Sequence, residues 1–229
     1  MTQVTIQSQD GKSFGAYFVA AADANAPGIV LIQEIFGVNA AMKAAAQEWA
    51  AQGFNVVVPD LFWRQEANLE LDPTVQAEFE KGVQLMQGAD ENVTVSDLEA
   101  TRAWLEAKIG NNRIAGLGYC WGGRLVVRMA ADTGIKCAVS YYGVGLEQLV
   151  PATPEAAVPT LLHIAELDSY VPEPVRNTIL ANVKTRPAWE AYVYEGCDHA
   201  FARPNGQHRD ENATTLAQTR SLEFMKKYL

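Results

Sequence analysis

Cysteine is scarce in this chain: three in 229 residues, Cys120, Cys137 and Cys197. An odd number at wide spacing excludes a disulfide framework, and no zinc-ligand spacing is present. Basic side chains are also few, 18 Lys and Arg against 27 Asp and Glu, for a net charge of −9. No Lys/Arg cluster and no basic strip interleaved with aromatics occurs, so nucleic acid and anionic membrane surfaces are excluded as partners. No apolar run approaches the length of a membrane span. Met1 to Gln7 carries neither a basic nor an apolar leader region. Internal repeats, low-complexity segments and interdomain linkers are absent as well. A single domain over residues 1–229 is expected, in a reduced, soluble, cytoplasmic protein with no metal or organic cofactor.

What is present alternates. Thr5 to Gln7 and Phe14 to Ala20 read as strands joined across Asp10-Gly11, a hairpin signal. Gly28 to Glu34 is a short apolar run ending in a carboxylate. Asn39 then caps an Ala-rich helix, Ala40 to Ala51, which Gly53 closes. Phe54 to Val58 is a buried strand stopped by Pro59. Helical patterns over about Pro73 to Gln87 and Val93 to Lys108 follow. Beyond residue 113 come a strand, a helix, a strand at Ile135 to Tyr141 and a Pro-punctuated loop. Thr160 to Ile164, a helix over Glu173 to Val183, a strand at Trp189 to Tyr194 and a final helix complete the series. Apolar strands alternating with helices predict an α/β fold, a mostly parallel sheet flanked by helices.

One pentapeptide stands at a bend, Gly118-Tyr119-Cys120-Trp121-Gly122, between an apolar strand and a helix. It is similar to the nucleophile elbow of the α/β-hydrolases, written with a thiol. The bend lifts the side chain clear of the sheet and sets it at a helix N-terminus, which favours thiolate and oxyanion. A buried core cysteine in a Gly-rich loop is the bland alternative. A thiol nucleophile needs a base, and three histidines compete for that role. His163 sits in an apolar strand and reads as core; His208 lies in a polar loop. His199 follows the last strand in a Gly-containing loop, which makes it the candidate base. Asp168 follows the strand before it and is the candidate orienting acid, with Glu166 a rival two residues earlier. Cys120, Asp168 and His199 each follow a strand, where the carboxyl ends of an open sheet form a crevice. Glu34 also ends an apolar strand, and the next residues, Ile35-Phe36-Gly37, occupy a loop that supplies one oxyanion N–H in this fold. Trp121 would supply the other. A carboxylate beside a thiol invites proton exchange between Cys120 and Glu34.

These segments resemble the dienelactone hydrolases, or carboxymethylenebutenolidases, along essentially the whole chain. The matching blocks are Gln33 to Asn39, Pro59-Asp60-Leu61-Phe62, Gly118 to Gly123, Tyr141 to Gly145 and His199 to Arg203. The resemblance implies Cys120 as nucleophile, His199 as base, Asp168 as its orienter, and Glu34 as acceptor of the thiol proton. It also implies that Arg203 pairs with a substrate carboxylate, a task suited to a guanidinium fork. The chain departs from the family on the helix after Leu71-Asp72-Pro73. Phe79 stands there in the register of a second arginine, Lys81 is a weaker substitute, Trp63 adds bulk to a pocket wall, and Phe36 is a further candidate for substrate binding. The expected activity is hydrolysis of an enol lactone or activated ester, of the dienelactone-to-maleylacetate type, through a thioester. A cysteine esterase for a less anionic substrate, and a non-catalytic or redox-sensing module, are the alternatives.

Overall fold

Residues rich in Val, Ile and Ala, apolar on both faces, form the buried strands, as a sheet covered by helices requires. The computed structural model describes residues 1–23 and 25–229. The chain divides into two compact units, Met1–Ile114 and Ala115–Leu229.

In the first unit β1 (Thr2–Gln7) and β2 (Ser13–Val19) form an antiparallel hairpin. Gly11 turns it at φ +82°, and Ser8 N–H donates to the Lys12 carbonyl at 2.7 Å. β2 pairs antiparallel with β4 (Asn55–Pro59), which pairs parallel with β3 (Gly28–Ile32). Every residue of β3 and β4 is buried, the signature of strands enclosed on both faces. Asn39 caps α1 (Ala40–Ala51) by accepting the Met42 N–H at 3.1 Å. Asp90 caps α3 (Glu91–Ile109), and Gly110 ends it in the left-handed region.

Between them lies α2 (Gln76–Gln87), which starts later than the expected Pro73. Asp72 accepts the Thr74 N–H at 2.8 Å and gives its own N–H to Glu78 at 2.6 Å, so this stretch closes as a local turn. Only Gly82 of α2 is buried, and a Cβ there would overlap the Ile35 carbonyl oxygen. The loop under it is held from a second side. Gly37, at φ +72°, leaves no room for a side chain beside the Leu69 carbonyl, and Leu71 N–H donates to Phe36 O at 2.9 Å. Gly82→Val should therefore destabilise the protein by about 1–3 kcal/mol, the usual cost of overpacking. Urea unfolding checks this, and an unchanged midpoint would show that α2 shifts without cost.

In the second unit β5 (Ile114–Tyr119), β6 (Cys137–Tyr141), β7 (Thr160–Ala165) and β8 (Trp189–Tyr194) pair in chain order, all parallel. Helices α4 (Trp121–Asp132), α5 (Leu146–Ala152), α6 (Glu173–Val183) and α7 (Glu211–Tyr228) lie between or after them. Val127, Leu146, Val150, Leu162, Ile179 and Trp189 meet in one core cluster that ties three of these helices to β7 and β8. Helix α5 corrects an expected loop. Leu146 and Val150, one turn apart, are buried, and Pro151 sits in the last turn, where few bonds are lost. Arg186 caps its end, donating to the carbonyls of Val150 at 2.7 Å, Thr153, and Pro154 at 3.1 Å. Because the four strands are parallel and consecutive, the segments after β5, β7 and β8 emerge at one edge.

Candidate active site

Cys120 stands between β5 and α4 with φ 57° and ψ −117°, a backbone conformation that costs a residue with a side chain about 1–3 kcal/mol. Its surroundings impose it. Cys120 N–H donates to Tyr141 O at 3.0 Å, and Arg124 N–H donates to Cys120 O at 3.3 Å. A Cβ on Gly118 would overlap the Gly122 carbonyl, and one on Gly123 would stand 2.8 Å from Gly143 Cα. The glycines let strand and helix close on each other, and the half-buried sulfur is left at the N-terminus of α4.

His199 lies in the loop after β8, and Asp168 in the loop after β7. His199 Nδ1 is 2.7 Å from Asp168 Oδ2, and Asp168 is 1 % exposed. Asp168 Oδ1 accepts the Tyr170 N–H at 2.9 Å, which fixes the carboxylate plane. The Cys120 sulfur is hydrogen-bonded to the same imidazole. Burial pulls the His199 pKa down. The negative charge of Cys120 and the bonds to Asp168 and Cys120 outweigh it and raise the value to about 10. Tyr142 and Tyr170 both pack edge-on to the imidazole, at centroid distances of 5.1 and 4.8 Å. The ring is thus held by rings, by a carboxylate and by the thiol. Neither tyrosine is singled out by sequence patterning, although Tyr170 follows Asp168 by two residues and Tyr142 lies in the Tyr-Tyr-Gly block.

The rival groups are occupied elsewhere. Glu166 accepts the Gly196 N–H at 2.8 Å. His163 is fully buried between the Tyr194 hydroxyl at 2.7 Å and Ser221 Oγ at 2.8 Å, and burial lowers its pKa to about 3. His208 accompanies His199 only through its backbone, with Nδ1 3.0 Å from His199 O. Arg203 is half-buried in the turn that follows His199, where its N–H donates to Ala200 O at 3.0 Å. Trp121 is buried in the first turn of α4.

In the first unit Glu34 is buried just past the end of β3, and Gln33 beside it donates to the Glu34 carbonyl at 3.2 Å. The Phe36 and Phe79 rings meet at 6.1 Å. Trp63, expected in a pocket wall, donates to Asp97 Oδ2 at 2.9 Å, stacks on Phe14 and lies under the Arg64 guanidinium. Lys81 pairs with Glu66 at 2.8 Å on the surface. Both side chains are engaged in local structure for a physical reason: a buried carboxylate and an exposed one each recruit the nearest donor. Among the described residues no group of three or more His, Cys, Asp or Glu side chains is placed to hold a metal ion. No described helix is long and apolar enough to cross a membrane.

Comparison with known proteins adds the family. A sequence model of the dienelactone hydrolase family matches residues 14–229. A putative carboxymethylenebutenolidase of Azospirillum brasilense is 41 % identical over 231 residues, covering all of both chains. A carboxymethylenebutenolidase of Pseudomonas putida is 38 % identical over 97 % of this chain and 94 % of its own. Among solved structures, a putative dienelactone hydrolase from Klebsiella pneumoniae superposes with a TM-score of 0.85 at 24 % identity, covering 99 % of this chain and 98 % of its own. An elbow bearing a thiol, parallel strands that bring the loops of Asp168 and His199 to its edge, and full-length likeness in sequence and fold lead to one assignment: the chain is a hydrolase of the α/β-hydrolase fold and belongs to the dienelactone hydrolase family.

Proposed function

We propose that this protein hydrolyses an enol lactone or activated carboxylic ester of the dienelactone type, with Cys120 as nucleophile and a thioester intermediate. The observation that carries the reading is the continuous hydrogen-bonded series Asp168, His199, Cys120, with the sulfur on a strained elbow.

The raised pKa keeps the His199 imidazole protonated at neutral pH, and on the family pattern Glu34 takes the proton of the resting Cys120 thiol when substrate binds. The thiolate attacks the carbonyl carbon, and charge develops on the oxygen. On the family pattern the backbone N–H groups of Trp121 and Ile35 receive that charge. The tetrahedral intermediate collapses, the C–O bond breaks and the enolate leaves, taking a proton from His199. Acylation removes the sulfur's charge, one of the chief causes raising the His199 pKa. Burial then pulls it down, and the neutral imidazole removes a proton from water. Hydroxide adds to the thioester, the thiolate is expelled, and the imidazolium–thiolate pair is restored. A thiolate expels a stabilised enolate readily and an alkoxide poorly, so enol lactones are favoured over simple alkyl esters.

Arg203 is assigned to a carboxylate on the substrate. A charge-assisted bond of that kind contributes about 1.5–3 kcal/mol. Arg203→Ala should thus lower kcat/KM for cis- or trans-dienelactone about 10- to 150-fold relative to p-nitrophenyl acetate. An equal loss on both substrates would make Arg203 a structural residue. The contact of Phe79 with Phe36 favours a second reading, an esterase whose substrate is less anionic. The same pair of assays decides between them: a wild-type enzyme that turns over p-nitrophenyl acetate but neither dienelactone supports the second. Trp63 and Lys81 take no part in the proposed mechanism, because their polar groups are bound locally.

A further inference from the structure

Tyr170 combines two properties that seldom meet. It is a large aromatic side chain 55 % exposed to solvent, yet its ring is packed edge-on against the buried imidazole of His199 at 4.8 Å. Its backbone is fixed as well, since its N–H donates to Asp168 Oδ1 at 2.9 Å. The neighbouring Val171 is fully buried in the core cluster, so the loop cannot swing the ring away without losing that anchor. An exposed ring held this way keeps its hydroxyl in a set position relative to the catalytic base.

Held against His199, the hydroxyl lies within electrostatic reach of the Cys120 sulfur and of the Asp168 carboxylate. The Arg203 guanidinium and Asp198 act on it too. Burial first, then Cys120 and Asp168, raise the Tyr170 pKa against the opposing pull of Arg203, so the phenol remains a neutral donor at physiological pH. The hydroxyl is thus a neutral O–H donor within electrostatic reach of the Arg203 guanidinium.

We propose that Tyr170 is a specificity residue that offers its hydroxyl, alongside Arg203, to an anionic group of the substrate. This rests on the proposed ester or lactone hydrolysis and deepens it by naming a second donor for the acidic part of the substrate. A phenol on a ring already immobilised against His199 loses little conformational freedom on binding, which is why a single neutral donor adds measurable selectivity.

The test compares Tyr170→Phe with wild type on p-nitrophenyl acetate and on dienelactone, and measures inhibition of the ester reaction by maleate, a small dicarboxylate. Tyr170→Phe keeps the ring against His199 and removes only the hydroxyl. The inhibition constant for maleate should rise, and kcat/KM for dienelactone should fall through KM, each by about tenfold relative to the change on p-nitrophenyl acetate. Parallel losses on all three measures would mean that Tyr170 only supports Asp168 and His199, and the proposal fails. Absence of maleate inhibition in the wild type, or an unchanged constant in the variant, also overturns it. Because the maleate arm uses only ester turnover, it decides the role of Tyr170 even if the wild type does not accept dienelactone, an outcome that rejects the lactone substrate alone.

Discussion

Cys120→Ala should reduce turnover by about a thousandfold or more and, in the same protein, lower the pKa of His199 from about 10. The two effects share a cause. Burial alone would depress the imidazole, and the charge of the sulfur is the leading influence that reverses it. Removing the sulfur leaves Asp168 to oppose burial alone, so His199 deprotonates at lower pH. Titration of the imidazole proton resonances by NMR reads this directly. A His199 that titrates unchanged in Cys120→Ala would show that the thiol does not set its charge. The sign for stability follows from linkage: a pKa raised on folding stabilises fully below the ordinary histidine value near 6.5, and the contribution is lost as pH rises through about 10. The wild type should therefore lose thermal stability on that alkaline limb, and Cys120→Ala should lose less. The other thiols are poor competitors for alkylation. Cys137 is fully buried, which pushes its pKa to about 12, and burial also raises that of Cys197. Iodoacetamide should modify Cys120 first, and activity should fall in step.

The second large effect belongs to Asp168→Asn, which should cut turnover by about ten-thousandfold with the fold retained. Asp168 Oδ2 accepts from His199 Nδ1 at 2.7 Å, which leaves Nε2 as the nitrogen facing the chemistry. An amide at that position can donate to Nδ1 instead. The neutral imidazole then carries its proton on Nε2 and cannot take one from water. The backbone bond from Tyr170 N–H to the remaining oxygen preserves the loop, so circular dichroism should change little. Glu166→Gln is the matched control. Glu166 Oε2 accepts the Gly196 N–H, a turn before His199, and its loss should cost far less. If Glu166→Gln is damaging and Asp168→Asn is silent, the orienting acid has been misassigned.

Much of this was legible from residue order. The alternation of strands and helices gives the α/β class, and the elbow glycines announce a backbone that only close strand–helix contact requires. The choice of His199 over His163 follows from strand burial, because a histidine inside an apolar strand finds its partners in the core, as His163 does with Tyr194 and Ser221. The illegible parts depend on distant partners. Helix α5 carries a proline and is completed by Arg186, more than thirty residues further on. The start of α2 is decided by the Asp72 turn. The partner of the Trp63 indole N–H, Asp97, lies 34 positions away in the chain. Tyr142 and Tyr170 reach the imidazole only when β6, β7 and β8 lie side by side, and no local pattern encodes that.

The backbone at Cys120 has one more consequence, and it concerns time rather than geometry. Its φ of 57° is an unfavourable conformation held in place by tight strand–helix contact at Gly118 and Gly123. That contact forms when the chain folds and persists through every turnover. On the proposed mechanism the energy of aiming the sulfur is therefore met once in the life of the molecule, and no cycle has to supply it again. A relaxed cysteine on a mobile loop would have to find the same orientation afresh with each substrate, and the search would enter the rate.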